Sequence, residues 1–516
     1  MKRAGFPVYS CLAIWLTASC AASGPSDAPP DDGGVADAGA DARSAPDAVA
    51  PSDGGPTADA TTTPGDPFAP QPDESEGLTN VSADVDALLE HGALAGACDK
   101  YKAGQTDRKT MLTCGKWMYF YETFGTAGMP AAILKFLAKN FPDELGLGFS
   151  KLGMVPDPTS ADSLPLGLAP TTPMNGTIDA LAFTCASCHM GKLPDGRYAV
   201  GAPNHSYDYG RHILSITLVP TLGMGLGAAT DHDPDAVAKV QPVLDKLAGD
   251  LTLKTSLGLT LLPLASVKQP AMTKPIEHAY ASWPTGTLDF VMAPLPIDDG
   301  VEIVGKVIGL WGIPRPEEAK GAGMASAMLG WAGDAHGLDE FVKGFAALGG
   351  VGNLPSDDAI KPLLEYVYSL RAPANPTPPD PALVNKGAAL YASKGCAGCH
   401  DGPRGSGKRM YGLDEVGTDH AIAKWADPSL SGAACCGLPT PDGGLTHAVK
   451  SPRMVGMWTL KRFLHNGSLS TLEQLFCLGG ARPAGTEPLS TAGHAYTCDG
   501  LSDDEKNALL AYLRAH

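Results

Sequence analysis

Apolar side chains recur at helical spacing in several separated stretches of the chain. Residues 111–124 carry large apolar side chains on more than one face, which predicts a largely buried helix. Residues 131–141 continue in that manner until Pro142 breaks the pattern. Further helices are predicted over 235–250, 254–267, 338–348 and 358–370. Strand-like alternation is sparse, so we expect a mainly α fold with long irregular loops and few strands.

The last part of the chain has the pattern of a small helical domain. A helix predicted over 382–394 leads directly to Cys396. Ser502, followed three residues later by Glu505, forms a capping box for a closing helix with an apolar stripe. The Pro-rich stretch 372–381 is a stiff connector. We therefore predict an N-terminal domain with insertions over 77–375 and a compact C-terminal domain over 376–516.

The N-terminus has the pattern of an export signal. Lys2 and Arg3 precede an apolar run to Leu16, and small residues precede Cys20. We expect residues 1–20 to be a lipoprotein-type signal peptide with lipid on Cys20; ordinary signal cleavage nearby is the alternative. Either route places the protein in the cell envelope, facing the periplasm or the cell surface. No later stretch reaches the roughly 18 apolar residues of a membrane span, so any membrane contact is through the lipid.

The net charge of −18 is concentrated near the N-terminus. Residues 21–76 form a low-complexity Ala-, Asp-, Pro- and Gly-rich segment, which we expect to be a disordered tether. Between Asp27 and Glu76, ten Asp and two Glu against one Arg account for 11 of the 18 negative charges. The remaining chain is mildly acidic, and we expect no nucleic-acid partner.

Two motifs carry the chemistry. Cys185-Ala-Ser-Cys188-His189 and Cys396-Ala-Gly-Cys399-His400 both have the Cys-x-x-Cys-His spacing of a c-type haem attachment site. Two cysteines three residues apart and an adjacent His lie on one helical turn, so both thiols and the imidazole can reach one porphyrin. We expect two covalent haem c groups, one in each cytochrome c-like domain, with His189 and His400 as proximal iron ligands.

The other cysteines agree with export. Apart from the signal and the haem motifs, six remain: Cys98, Cys114, Cys435, Cys436, Cys477 and Cys498. In an oxidising compartment this even number suggests three disulfides, for which fifteen pairings exist. From proximity along the chain we predict Cys98 with Cys114, and the other four among themselves.

The second axial ligand of each iron decides the function, because an iron with two strong ligands transfers electrons but does not easily bind oxygen. For the second haem His494, in a Gly-His loop before the closing helix, is the first candidate. For the first haem His205, sixteen residues after His189, is either a distal residue or a loop residue. His465 is assigned to hydrogen bonding or to a haem propionate.

Other residues have weaker signals. Trp283, Trp311 and Trp458 lie either beside or between the haems or in the core. Glu415 and Asp419 either contact a cation or are solvated, and we expect solvation. These residues therefore give no support for Ca²⁺ as a further cofactor.

The motifs together resemble the dihaem bacterial cytochrome c peroxidase and MauG superfamily. The resemblance rests on Cys-x-x-Cys-His, Val-Gly-Thr-Asp419 and the segment from Lys450-Ser-Pro-Arg to Leu472, and covers roughly residues 110–514. Thr184-Cys-Ala-Ser-Cys-His-Met-Gly, Leu-His-Asn-Gly-Ser and Gly-His494 are most similar to the rubber-oxygenase (RoxA-like) branch.

That resemblance implies different roles for the two haems. In the rubber-oxygenase branch the second haem has two His ligands, the distal one matching His494, and the first haem binds oxygen. Peroxidases instead place a Met fourteen residues after the His that matches His465, where this chain has Gly479. The resemblance thus implies an oxidoreductase of peroxidase or dioxygenase type. Its partners are a redox protein or small-molecule oxidant, and an organic substrate such as a polyisoprene. A purely electron-transferring cytochrome with both irons six-coordinate is the alternative.

Overall fold

The computed structural model describes residues 67–68, 71–126, 128–174, 178–212, 234, 283–289, 303–333, 335–347, 354–426 and 447–516. The predicted signal peptide, most of the predicted tether, the helices predicted over 235–250 and 254–267, and Cys435 and Cys436 lie outside these residues.

Helices dominate the described residues, which confirms the mainly α fold class. The α-helices are α1 Val85–Leu88, α2 Ala97–Lys102, α3 Arg108–Tyr121, α4 Ala131–Asn140, α5 Pro142–Leu145, α6 Cys185–His189, α7 Tyr209–His212, α8 Pro316–Ala322, α9 Leu338–Ala347, α10 Asp357–Ser369, α11 Pro381–Ser393, α12 Leu413–Val416, α13 Leu472–Leu475 and α14 Asp503–Ala515. Short 3₁₀ turns follow many of them.

The strands are short and form four small antiparallel sheets among the described residues. They are β1 Val81–Ser82, β2 Met129–Pro130, β3 Leu168–Met174, β4 Ile178–Phe183, β5 Met190–Lys192, β6 Tyr198–Val200, β7 Thr287–Asp289, β8 Val304–Lys306, β9 Met410–Gly412 and β10 Ala448–Lys450. The sheet orders are β2-β4-β3, β1-β6-β5, β7-β8 and β9-β10. The first Cys-x-x-Cys-His follows β4 directly and precedes β5, so two sheets hold the ends of that motif.

The core of the N-terminal region is built on α3 and α10. Asp107 caps α3 by accepting a hydrogen bond from the Thr110 amide, and Ser356 caps α10 in the same way. The two helices pack closely at Gly115, where a Cβ would lie 2.0 Å from the Pro362 carbonyl oxygen. The predicted Cys98–Cys114 disulfide is confirmed and ties α2 to α3.

The C-terminal region is built on the pairing of α11 with α14. The predicted capping box is present, since Ser502 accepts from the Glu505 amide and the Glu505 carboxylate accepts from the Ser502 amide. The helices meet at Gly387, where a Cβ would lie 2.1 Å from the Ala508 carbonyl oxygen. A first helix leading to Cys396 and a closing helix packed across it is the predicted cytochrome c layout.

The ordered structure begins earlier than the sequence predicts. The tether was expected to extend to residue 76, but Phe68 is buried and stacks on His516 at 4.6 Å between ring centroids. Glu74 accepts hydrogen bonds from Arg108, Arg315 and Arg371. The Pro- and Asp-rich composition of the segment concealed this aromatic anchor and this ion-pair network.

Among the described residues, no helix is both long and apolar enough to cross a membrane.

Candidate haem sites

The second Cys-x-x-Cys-His lies on the wall of a large cavity. After α11 ends, Gly395 takes a left-handed conformation and the chain turns into a short 3₁₀ helix at Cys396–Gly398. Cys396, Cys399, His400 and His494 all line the cavity, whose volume is about 1710 Å³ including its opening to solvent. The other lining residues are mainly aliphatic and aromatic. Both cysteines are free of disulfides, as thioether formation requires.

His400 and His494 face each other across this cavity with 6.3 Å between their ring centroids. A metal bound between two imidazoles needs about 2 Å for each metal–nitrogen bond. The distance from each nitrogen to its ring centre adds about 1.1 Å, so the expected separation of the centroids is about 6 Å. The observed separation agrees with that value, so these residues fit one haem c held by two histidines.

The orientation of His400 is set by its backbone neighbours. Its Nδ1 lies 2.7 Å from the Gly405 carbonyl oxygen. A carbonyl can only accept, so Nδ1 carries the hydrogen and Nε2 presents its lone pair to a metal. Burial lowers the pKa of His400 and takes that of His494 to about 3, which keeps both rings neutral, the form that binds iron.

The loop that carries His494 is held by Arg482. His494 has a left-handed backbone with φ of 59°. The Arg482 guanidinium donates hydrogen bonds to the carbonyl oxygens of Gly493 at 2.6 Å and His494 at 3.0 Å, and to three further backbone oxygens and the Thr497 hydroxyl. The Cys477–Cys498 disulfide closes the same loop, in agreement with the predicted pairing among the last four cysteines. Sequence analysis missed Arg482, because nothing in its spacing points to His494.

His465 is a hydrogen-bonded residue of the cavity wall. Its Nδ1 lies 3.2 Å from the Thr418 hydroxyl and its Nε2 lies 3.6 Å from the Asp419 carboxylate. The expectation that Asp419 is solvated is wrong: it is 8% exposed and accepts a 2.9 Å hydrogen bond from Asn466. The sequence around Asp419 does not predict this hydrogen-bond network, because Asn466 lies 47 residues away. No group of three or more His, Cys, Asp or Glu in the described part of the chain is arranged to hold a metal ion.

The first Cys-x-x-Cys-His forms the short helix α6 after β4. The hydroxyl of Ser187 donates to the Gly167 carbonyl, and the hydroxyl of Tyr119 donates to the His189 carbonyl at 2.6 Å. His189 Nδ1 lies 2.9 Å from the Ile308 carbonyl oxygen, so by the same argument its Nε2 is free for a metal. Burial lowers the pKa of His189 to about 4. The residues of this motif therefore also fit a haem c with His189 as proximal ligand.

His205 does not present a free nitrogen. Its Nε2 donates to the Val307 carbonyl oxygen at 3.1 Å, and its Nδ1 accepts from the Lys461 amide at 3.1 Å. The ring is buried, and burial lowers its pKa to about 3. It lies on the wall of the second-haem cavity. Binding an iron through Nδ1 would require the hydrogen bond from the Lys461 amide to break, and a distal role at the first haem stays a prediction.

A second histidine, His212, lies in an aromatic cluster beside the first motif. Its Nδ1 and the Tyr207 hydroxyl are buried polar atoms with no hydrogen-bond partner among the described residues. The two rings are 5.7 Å apart, and Phe183 lies 5.3 Å from the His212 ring. Tyr207 belongs to the hydrophobic cluster against which Cys188 packs. Sequence analysis gave His212 no role, because a lone His carries no signal by spacing.

One segment touches both candidate sites. Along residues 306–311, the Ile308 carbonyl accepts from His189, while the carbonyls of Gly309 and Trp311 accept from Arg453 at 2.8 and 3.0 Å. Trp311 is buried, lines the second-haem cavity and packs in the same core cluster as Ala186. Of the three candidate tryptophans, it is therefore the one that the structure places between the motifs.

The other two tryptophans pack in or against hydrophobic core clusters. Trp458 is half-buried and donates to the Pro373 carbonyl oxygen at 2.9 Å. Trp283 packs in the cluster around α4 and Tyr207.

Comparisons with known proteins give a partial match. No family model matches the chain. Over 158 residues, 26% of this chain and 40% of the relative, it is 27% identical to a cytochrome-c peroxidase (IdrP1) of Denitromonas iodatirespirans. The match thus spans less than half of that peroxidase. A hydrazine synthase of Kuenenia stuttgartiensis aligns with 46% of this chain and 79% of its own at 17% identity and a TM-score of 0.26, which is too weak to bear on fold or function.

Proposed function

We propose that this protein is an exported two-haem c-type cytochrome that works as an oxidoreductase. The haem on Cys185, Cys188 and His189 reacts with peroxide or dioxygen, and the haem on the second motif passes electrons. The observation that carries the proposal is the 6.3 Å opposition of His400 and His494 in a cavity lined by both cysteines of the second motif.

His400 and His494 would together hold the iron of a haem at the second site, which fits electron transfer. A haem held by two imidazoles would supply reversible one-electron chemistry and would leave no open position for a substrate. The chain contributes by fixing both rings: Gly405 orients His400, and Arg482 holds the His494 loop. Ligands that do not move between oxidation states keep the reorganisation on electron transfer small.

The first site is the better candidate for reaction with an oxidant. His205, the predicted distal residue, already uses both ring nitrogens in hydrogen bonds to backbone groups. An iron on His189 would then keep one position for oxygen or peroxide. The similarity to a named cytochrome-c peroxidase supports this oxidoreductase class.

A purely electron-transferring cytochrome is the second candidate. The observation that favours it is the unpartnered, buried Nδ1 of His212 in the cluster beside Cys188. If His212 binds the first iron, both haems are six-coordinate and neither reacts directly.

Substrate, partners and location follow as parts of the same proposal. The oxidant is small, the electron donor or acceptor is a redox protein, and a lipid on Cys20 anchors the chain in the cell envelope. The rubber-oxygenase resemblance, which implies an organic substrate, rests on sequence motifs alone.

Optical and EPR spectra of the purified holoprotein test the proposal. An alkaline pyridine-haemochrome assay should give two haem c per chain. The oxidised protein should show one low-spin bis-His haem and one haem that changes on adding peroxide, or oxygen after reduction. Two low-spin haems that respond to neither would reject the enzyme and leave the electron-transfer cytochrome. Absence of haem c would reject both.

A further inference from the structure

Three cationic side chains that line the second-haem cavity have no acidic partner in the part of the chain that the structure describes. They are Lys306 at the end of β8, Lys450 at the end of β10, and Arg453 three residues later. Lys450 is 4% exposed, and the other two are half-buried on the cavity wall. The residues that line this cavity include no Asp or Glu.

The contacts of these cations are all with neutral groups. Lys306 donates to the Arg462 carbonyl at 3.2 Å and lies 5.2 Å from the centre of the Trp331 ring. Lys450 donates to the Ser451 carbonyl at 3.1 Å. Arg453 donates only to carbonyl oxygens. No carboxylate among the described residues therefore balances the charge of these side chains.

Burying three cations without an anion is unfavourable, so a cation left without a partner tends to lose its proton. Burial indeed lowers the pKa of Lys306 to about 7 and that of Arg453 to about 9. Two other buried cations do have acidic partners: Lys116 pairs with Glu90, and Arg404 pairs with Glu318. The three cations on this cavity wall have no such partner among the described residues.

We propose that Lys306, Lys450 and Arg453 form the carboxylate-binding end of this cavity, which holds the two propionates of the second haem. The inference rests on the proposed function, because it requires a haem on Cys396 and Cys399. Thioethers attach at the vinyl edge of a porphyrin, and the propionates extend from the opposite edge. The cavity therefore needs cations on its wall to bind the propionates, and these three side chains line it.

The proposal also explains the excess of positive charge. Two propionates neutralise two of the three cations, and the third leaves the site positive. A positive surplus beside the iron favours the reduced state, since reduction adds an electron. The second haem would therefore draw electrons from a donor more readily than an uncharged apolar cavity would allow.

The test uses the holoprotein with ¹³C-labelled haem carboxyl groups and redox-difference infrared spectroscopy. The variants are Lys306→Gln, Lys450→Gln and Arg453→Gln, with Lys461→Gln as the matched control. Lys461 has an exposed side chain whose ammonium reaches the Lys192 carbonyl and does not line the cavity. The charge-preserving Lys306→Arg separates loss of charge from loss of packing.

We expect the ¹³C-sensitive carboxylate bands to shift in all three cavity variants and to stay unchanged in Lys461→Gln. The reduction potential of the bis-His haem should fall in each of the three, and Lys306→Arg should stay near the wild type. Labelled bands that are unchanged in all three variants, in a protein that retains its bis-His EPR signal, would overturn this inference alone. Absence of that signal from the wild type would overturn the proposed function as well.

Discussion

Replacing His494 with glycine tests the central assignment with little disturbance to the backbone. His494 adopts a φ of 59°, a left-handed conformation that glycine takes without steric cost. For a residue with a side chain that conformation costs roughly 1–2 kcal/mol. The substitution therefore removes the imidazole and relieves backbone strain in one step. Any loss of iron coordination will then reflect the missing ring rather than a collapsed loop.

The loop should keep its shape because most of its restraints do not involve the ring. Arg482 donates to five backbone oxygens and one hydroxyl around His494. At about 0.5 kcal/mol each, the low end for a partly exposed donor, these bonds contribute about 3 kcal/mol. The Cys477–Cys498 disulfide adds a covalent restraint. A gap the size of one imidazole should therefore remain on the side of the iron opposite His400.

Free imidazole should refill that gap. The oxidised His494→Gly holoprotein should show a second high-spin haem by EPR, and added imidazole should restore the low-spin signal. The imidazole concentration that restores half of the low-spin signal then measures the dissociation constant of the free ligand for this iron. His447→Gly, at an exposed position, is the control. A variant that keeps the wild-type low-spin signal without imidazole would refute the assignment of His494.

Three further changes probe the supports of the fold. Arg482→Lys replaces five N–H donors with one ammonium group and so holds the His494 loop less firmly. We expect a partial high-spin EPR signal that added imidazole reverses. A fully low-spin EPR spectrum would contradict the role of Arg482. Replacing Cys477 and Cys498 by Ser opens a loop with a sequence separation of 21 residues. This should lower the free energy of unfolding by about 3 kcal/mol in a guanidinium titration, and an unchanged midpoint would contradict it. Burial lowers the pKa of Lys116 from 10.5 to about 8. Between these two pH values the unfolded chain holds a proton that the folded chain has lost. The free energy of unfolding therefore rises with pH in that window. Lys116→Met should lack this rise in denaturation curves measured across that window, whereas an equal rise in both proteins would place its cause elsewhere.

Local signals in the sequence were reliable guides to local structure. The capping box at Ser502 and Glu505 predicted the start of the closing helix, and the helix begins at Asp503. The predicted Cys98–Cys114 disulfide joins residues only 16 positions apart. Both predictions depend on interactions within a few turns of chain. Their outcome needed no knowledge of how distant segments pack.

Predictions that depended on distant partners fared differently. The spacing of His205 from His189 predicted either a distal residue or a loop residue, and the distal role stays a prediction. The spacing gave no sign that its ring nitrogens bond to Val307 and Lys461, 102 and 256 residues away. Asp419 was expected to be solvated because its neighbours read as a loop, yet it is buried against Asn466. A sequence pattern describes neither partner, because each contact is made by tertiary packing.

The segment 306–311 shows why the two haem sites should be treated as one unit. Its backbone holds the first motif through Ile308, and its side chains Lys306 and Trp311 form part of the wall of the second-haem cavity. Arg453, in the region that carries the second motif, donates hydrogen bonds to the Gly309 and Trp311 carbonyl oxygens of the same segment. A displacement of this backbone that followed a charge change in the cavity would therefore reach the hydrogen bond that orients His189. Segment 306–311 thus both separates the two motifs and links them through its hydrogen bonds.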